Sequence, residues 1–173
     1  FLHLLQDHGR DLGGRVDLAV DVDAAKVDAL AQGKPPFFEP GLPEILASSL
    51  DSGRLRFTTD ISEVAGASLH FIAVGTPQSE NSGAADLRYV HAAVDALIPH
   101  LGSTDVIVGK STVPVGTAEA LSHRLLAAGS SATLAWNPEF LREGFAIKDT
   151  LSPDRLVFGF GEGQLWLSVQ PRN

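Results

Sequence analysis

The 173-residue chain contains no cysteine and no methionine. Without cysteine there is no disulfide framework, no zinc ribbon and no thiol nucleophile, and the redox compartment cannot be read. No apolar run approaches the roughly 20 residues of a membrane span and no signal peptide is recognisable, so cytoplasmic residence is the default and no membrane partner is expected. Positive charge is scarce: 13 Lys and Arg stand against 21 Asp and Glu, a formal net charge of -8. A nucleic-acid partner, which needs a basic stripe, is therefore not expected. A phosphorylated ligand is still allowed, because backbone amides and a single cation can hold one. The six histidines show no metal-ligand spacing, so no metal is expected and most are expected at the surface. Phe1 is not a translation start, so the chain reads as a piece of a longer frame.

What is present is an alternation of short apolar runs and helical patterns. The runs at 18–22, 55–59, 69–74, 105–109, 133–136 and 155–158 read as strands. Helical composition fills 24–31, 44–50 and 117–128. From Asp86, placed as an N-cap, Leu87, Val90, Val94, Leu97, Ile98 and Leu101 recur at helical spacing. Strands alternating with helices predict an α/β fold with a doubly wound, parallel, Rossmann-like sheet, its ligand crevice at the carboxyl ends of the strands. At 44% hydrophobic and 20% charged the chain can bury one core.

The segment Asn137-Pro138-Glu139-Phe140-Leu141-Arg142-Glu143-Gly144 follows the run 133–136. If it opens a helix, Glu139 and Glu143, four residues apart, share a face near the positive end of the dipole. First-turn acids are also ordinary capping residues. This octet occurs with Gly109-Lys110-Ser111-Thr112-Val113-Pro114-Val115-Gly116-Thr117, Phe71-Ile72-Ala73-Val74-Gly75-Thr76-Pro77, Phe38-Glu39-Pro40-Gly41-Leu42 and Pro153-Asp154-Arg155. Together these blocks resemble the UDP-glucose/GDP-mannose dehydrogenase family, in the family's order, over about 14–159. The octet favours the UDP-glucose branch, with GDP-mannose the nearer alternative.

The resemblance implies NAD as cofactor and a UDP-sugar as substrate. Asp21 ends the first recognisable strand, where a carboxylate accepts from the adenosine ribose hydroxyls and repels a 2′-phosphate, or it caps the next helix. Lys26 falls where the family carries a basic residue near that ribose, or is a solvated helix residue. Val74, Gly75, Thr76 and Pro77 match the family loop beside the cofactor's ribose and pyrophosphate. Ser111, Thr112 and Val113 match the segment near the nicotinamide, and Thr112 brings a hydroxyl to the reacting centre. Lys110 is either a cation for the nucleotide sugar or an ordinary strand-end residue. Glu139 corresponds to the carboxylate that activates water against an acyl-enzyme thioester, a general-base role, and borders the substrate with Phe140, Leu141 and Arg142. Glu143 corresponds to a residue close to the nicotinamide.

One part of the pattern is missing. The Gly-x-Gly-x-x-Gly turn that should precede Asp21 is absent, and 1–13 reads as a divergent segment without a buried strand, which would leave neighbouring strands with unpaired backbone. The expected organisation is thus a divergent 1–13, an incomplete NAD-binding unit over 14–159 and a divergent tail, 160–173. The family oxidises the sugar C6 alcohol to an acid by two hydride transfers to NAD, through a covalent adduct on a cysteine assisted by lysine and aspartate. Those groups belong to its later half, as does the part that makes it homo-oligomeric. The expectation is a partial cofactor domain of an NAD-dependent oxidoreductase, or a non-catalytic remnant or binding module of the same lineage.

Overall fold

The computed structural model describes residues 2–7, 15–79, 83–138, 141–142, 144–153, 156–160 and 167–169, with backbone alone for 2–7, 15 and 167–169. Eight strands form one sheet: β1 (Leu2–Asp7), β2 (Arg15–Val20), β3 (Leu55–Thr58), β4 (Leu69–Ile72), β5 (Val106–Gly109), β6 (Thr133–Trp136), β7 (Leu156–Phe160) and β8 (Leu167–Val169), in the spatial order β3-β2-β1-β4-β5-β6-β7-β8. The first six follow the Rossmann order 3-2-1-4-5-6. Five helices connect them: α1 (Ala24–Ala31), α2 (Leu42–Asp51), α3 (Arg88–Leu97), α4 (Thr117–Ala127) and α5 (Ala146–Leu151).

The apolar runs became strands because a parallel sheet covered on both faces has no solvated side for polar residues. Leu18, Ile72, Ile107 and Leu134 meet the helices in one core with Val90, Val94 and Leu97 of α3 and Leu121 and Leu125 of α4. The i, i+4, i+7 spacing of Val90, Val94 and Leu97 forms the buried stripe of α3. Asp86 accepts the Arg88 backbone N–H at 3.0 Å, although the capping position itself falls on Leu87. Asp23 caps α1 by accepting the Lys26 N–H at 3.1 Å.

The centre of the sheet differs from the expectation. The run 1–13 does contain a strand: β1 lies between β2 and β4, so neither neighbour is left with an unpaired edge. It runs antiparallel to both, whereas β2 with β3, β4 with β5 and β5 with β6 are parallel. Connection length gives the reason. Positions 8–14 separate β1 from β2, and a parallel crossover takes a dozen or more residues, usually with a helix. A link of this length joins antiparallel neighbours.

A second difference concerns the histidines. His70 is wholly buried, and its Nε2 lies 2.9 Å from Oδ2 of Asp105, itself buried. The same oxygen accepts the Gly102 N–H at 2.8 Å. Strand alternation in β4 puts His70 on the covered face with Ile72, and a buried imidazole needs a partner. His91 and His100 are half-buried, while His123 is exposed.

Candidate functional site

At the carboxyl edge the ends of β4, β5 and β6 are tied into one ledge. Backbone pairing continues past the strands: Lys110 N donates to Ile72 O and Asn137 N to Gly109 O, each at 2.8 Å. Ser111 Oγ donates to Val74 O at 2.6 Å, and Thr76 Oγ1 to Thr112 O at 2.8 Å. The loop after β4 and the loop after β5 therefore hold each other. Buried Trp136 adds a third tie, its indole N–H donating to Ser111 O at 2.9 Å. Gly109 has to be glycine here, since a Cβ would stand 2.3 Å from the Trp136 ring carbons.

The ledge reaches the octet through Asn137. Its Oδ1 accepts from Lys110 Nζ at 2.6 Å, and its Nδ2 donates to Val157 O at 2.7 Å, so Asn137 bridges the edges of β5 and β7. Lys110 thus has a structural partner at the strand end. Beyond Asn137 the described residues do not open a helix at once; α5 starts only at Ala146. Gly144 takes a φ of +78°, outside helical geometry. Glu139, Phe140 and Glu143 themselves lie outside the described residues. Leu141 is exposed. Arg142 pairs with Asp149, Nε to Oδ2 at 2.9 Å and Nη2 to Oδ1 at 2.7 Å, and its guanidinium lies 4.9 Å from the Phe145 ring centroid. The guanidinium holds the Asp149 carboxyl below the usual carboxylate range.

Glu39 was not singled out from the sequence beyond its place in a motif. It is 5% exposed and its Oε2 accepts the Gly144 N–H at 2.9 Å, fastening the loop before α2 to the end of the octet. Gly41, at φ +83°, starts α2 next to Ile147 of α5. No local signal marks it, because its partner lies 105 residues away along the chain.

On the other side of β1, Asp21 follows β2 and is 9% exposed. Its Oδ2 lies 2.8 Å from Lys26 Nζ and its Oδ1 accepts the Asp23 N–H at 3.0 Å. Burial pushes its carboxyl up, but the Lys26 ammonium and the Asp23 amide outweigh that and hold it below the ordinary range. A charged carboxylate accepts up to about four hydrogen bonds. These contacts are compatible with two ribose hydroxyls. Gly75 meets the crevice with no atom within 4 Å of the position its Cβ would take, so a ligand can approach the backbone. Val74 and Val113 pack on the core while Pro77 and Thr112 are exposed. Among the described residues no three His, Cys, Asp or Glu side chains gather as a metal site, and no helix is long and apolar enough to cross a membrane.

The description "UDP-glucose/GDP-mannose dehydrogenase family, NAD binding domain" matches residues 12–166. The chain belongs to this family. A UDP-glucose 6-dehydrogenase of Rhizobium meliloti (strain 1021) is 46% identical over 156 residues, which cover 88% of this chain and 35% of that protein. A solved UDP-glucose dehydrogenase from the archaeon Pyrobaculum islandicum is 44% identical with a TM-score of 0.76, covering 84% of this chain and 35% of its own. GDP-mannose dehydrogenase of Pseudomonas aeruginosa, solved as a ternary complex, is 35% identical with a TM-score of 0.77, covering 83% and 35%. The chain therefore spans about 35% of the length of the relatives it matches.

The family's cofactor fits this crevice on one side only. Asp21 and the open backbone at Gly75 suit the riboses. Pyrophosphate in such folds rests on the turn after the first strand and the helix it opens. Here β1 ends beside Arg15, at the amino edge, the opposite edge of the sheet from Asp21.

Proposed function

We propose that the chain is the greater part of the cofactor domain of an NAD-dependent UDP-glucose 6-dehydrogenase, whose whole protein oxidises UDP-glucose to UDP-glucuronate. The observation that carries this reading is the ledge at the carboxyl edge. Ser111 to Val74, Thr76 to Thr112 and Lys110 to Asn137 bind the family's three motif loops into one surface, separated by β1 from the strand that leads to Asp21. In it Asp21 and Lys26 serve the adenosine ribose, and Val74, Gly75, Thr76 and Pro77 line the inner ribose. Ser111, Thr112, Val113 and Glu143 border the nicotinamide. Phe140, Leu141 and Arg142 border the UDP-sugar, with Glu139 as the general base that activates water. NAD, when bound, supplies the hydride acceptor. NAD and nucleotide sugars are cytoplasmic metabolites, which places the work in the cytoplasm. In this reading 14–159 is the family unit, 1–13 and 160–173 are divergent, and homo-oligomer contacts belong to the part the chain does not contain.

The inverted β1 favours a second reading, a remnant that keeps the fold and the ribose side but not catalysis. One experiment separates them. The chain as it stands is expected to reduce no NAD with UDP-glucose. A chimera, in which the first βα unit and the remaining 65% or so come from the Rhizobium relative, is expected to do so and to prefer UDP-glucose to GDP-mannose. An inactive but folded chimera refutes the enzyme reading, and a preference for GDP-mannose refutes the substrate.

A further inference from the structure

Trp136 and Asn137, at the end of β6, hold three consecutive residues at the end of β5. Asn137 N donates to Gly109 O at 2.8 Å, and Asn137 Oδ1 accepts from Lys110 Nζ at 2.6 Å. The Trp136 indole N–H donates to Ser111 O at 2.9 Å. This last bond differs in reach, because the register partner of Trp136 is Gly109 and the indole extends past it to Ser111. The ring spans that distance along the backbone. Its Cε3 and Cζ3 atoms lie against Gly109, 2.3 Å from the place a Cβ would take, and the N–H on the other side of the indole meets Ser111. Glycine at 109 makes this placement of the ring possible. Trp136 is also buried in the core, so the donor is fixed in position.

We propose that Trp136 is a positioning residue for Thr112, acting through the carbonyl of Ser111. The proposal rests on the reading above, in which Thr112 borders the nicotinamide. Ser111 is buried and held twice, by the indole on its carbonyl and by its own hydroxyl, which donates to Val74 O at 2.6 Å. Val113, on the other side of Thr112, packs against the core. Thr112 stands exposed between these two anchors, and its carbonyl accepts from Thr76 Oγ1. The anchors therefore set where the Thr112 side chain stands, and the indole sets one of them. The donor and the ring have separate tasks. Burial of the ring serves the fold, whereas the N–H acts on the segment after β5 alone. A buried carbonyl that loses its donor has to find another partner. Ser111 O does so by moving toward water, and Thr112 moves with it. A group misplaced by about 1 Å at a reacting centre can cost about 100-fold in rate, so a smaller displacement accounts for a loss of about tenfold.

The test removes the N–H and keeps the ring. Trp136 is replaced by β-(3-benzothienyl)alanine, which carries sulfur in place of the indole N–H, and in a control by 7-azatryptophan, which keeps the donor. Nitrogen-15 relaxation on the chain itself gives the first readout. With the sulfur analogue the backbone order parameter of Thr112 is expected to fall from about 0.85 to below about 0.6. Lys110 and Asn137, held by backbone bonds to Ile72 and Gly109, are expected to stay rigid, and the azatryptophan chain to match the original. An unchanged Thr112 with the sulfur analogue, or an equal loss with azatryptophan, overturns the proposal. The second readout uses the chimera described above. There the sulfur analogue is expected to lower kcat about tenfold, with KM for UDP-glucose within about twofold, and to cost nothing further in a Thr112→Ala background. The same loss with and without the Thr112 hydroxyl means that Trp136 does not act through Thr112, and overturns the proposal. Failure of the enzyme reading gives a different result, an original chimera without turnover, and the relaxation readout then decides alone whether Trp136 positions Thr112.

Discussion

Replacing Asp105 by alanine is expected to destabilise the fold by about 3 kcal/mol through a contact remote from the crevice. One carboxylate oxygen accepts two donors, His70 Nε2 at 2.9 Å and Gly102 N at 2.8 Å. His70 is fully buried and its Nδ1 already lacks a hydrogen-bond partner, so the imidazole has no second anchor. A buried donor left unsatisfied costs about 1–3 kcal/mol. His70 falls at the upper end of that range. Gly102 is exposed and can take a water in exchange, so its loss adds less than about 1 kcal/mol. Against a typical total stability of about 5–15 kcal/mol, a loss of this size leaves a folded but weakened protein. With a urea slope near 2 kcal/mol per molar for a domain of this size, the midpoint should fall by about 1.5 M. Asp105→Asn keeps a carbonyl acceptor at the same place and should lose about half as much. A midpoint for Asp105→Ala within about 0.3 M of wild type, with an unchanged slope, would mean that the pair contributes nothing and that the burial argument fails.

Gly109→Ala should cost about 3 kcal/mol, or a Tm lower by about 6–12 °C, because its Cβ would meet the Trp136 ring at 2.3 Å and the ring is held by its bond to Ser111 O; an unshifted Tm would show that the ring can swing away. Glu39→Ala should strand the Gly144 N–H and speed its hydrogen exchange by about tenfold while Glu39→Gln does not, and equal rates in the two variants would contradict a latch made by that bond. The Asp21 carboxyl titrates below its unfolded value, so its contribution is present above about pH 4 and is lost as pH falls through the folded value. Asp21→Asn should thus cost about 1 kcal/mol at pH 7, a modest figure because Lys26 is partly solvated, and progressively less as the pH is lowered below about 4. A difference from wild type that does not shrink as the pH falls would remove the linkage.

Most of the fold was legible because its elements depend on local periodicity. The run at 133–136 is β6 residue for residue, and Ala24–Ala31 is α1. Boundaries moved where tertiary partners intervened. The run 69–74 stops pairing at Ile72 because Val74 turns its carbonyl to Ser111, a bond between residues 37 apart that no local window contains. His70 escaped for a related reason: its own strand indicated burial, but the partner that makes burial tolerable is Asp105, on another strand. At the site, Val74, Thr76, Ser111 and Thr112 are tied to one another at the carboxyl edge. The roles of Glu39 and Asn137 depended on contacts across the sheet edge and stayed hidden.

The inverted strand was hidden differently, since its cause is written in the chain. Glycine motifs, apolar runs and helical faces are read residue by residue, while strand direction is set by what joins two strands. A parallel neighbour needs enough residues to return along the full length of the strand and, by preference, a helix to cover the sheet on the way. Positions 8–14 give neither. Once β1 sits beside β2 its direction is fixed by that link, and from the direction follows the edge at which its turn emerges. The missing phosphate motif and the antiparallel pairing are thus one fact. Changing residues 8–14 to a glycine-rich sequence without lengthening them would put the motif at the amino edge, away from Asp21. Lengthening that segment to a full strand-to-helix crossover changes the direction, and only then can the turn reach the crevice.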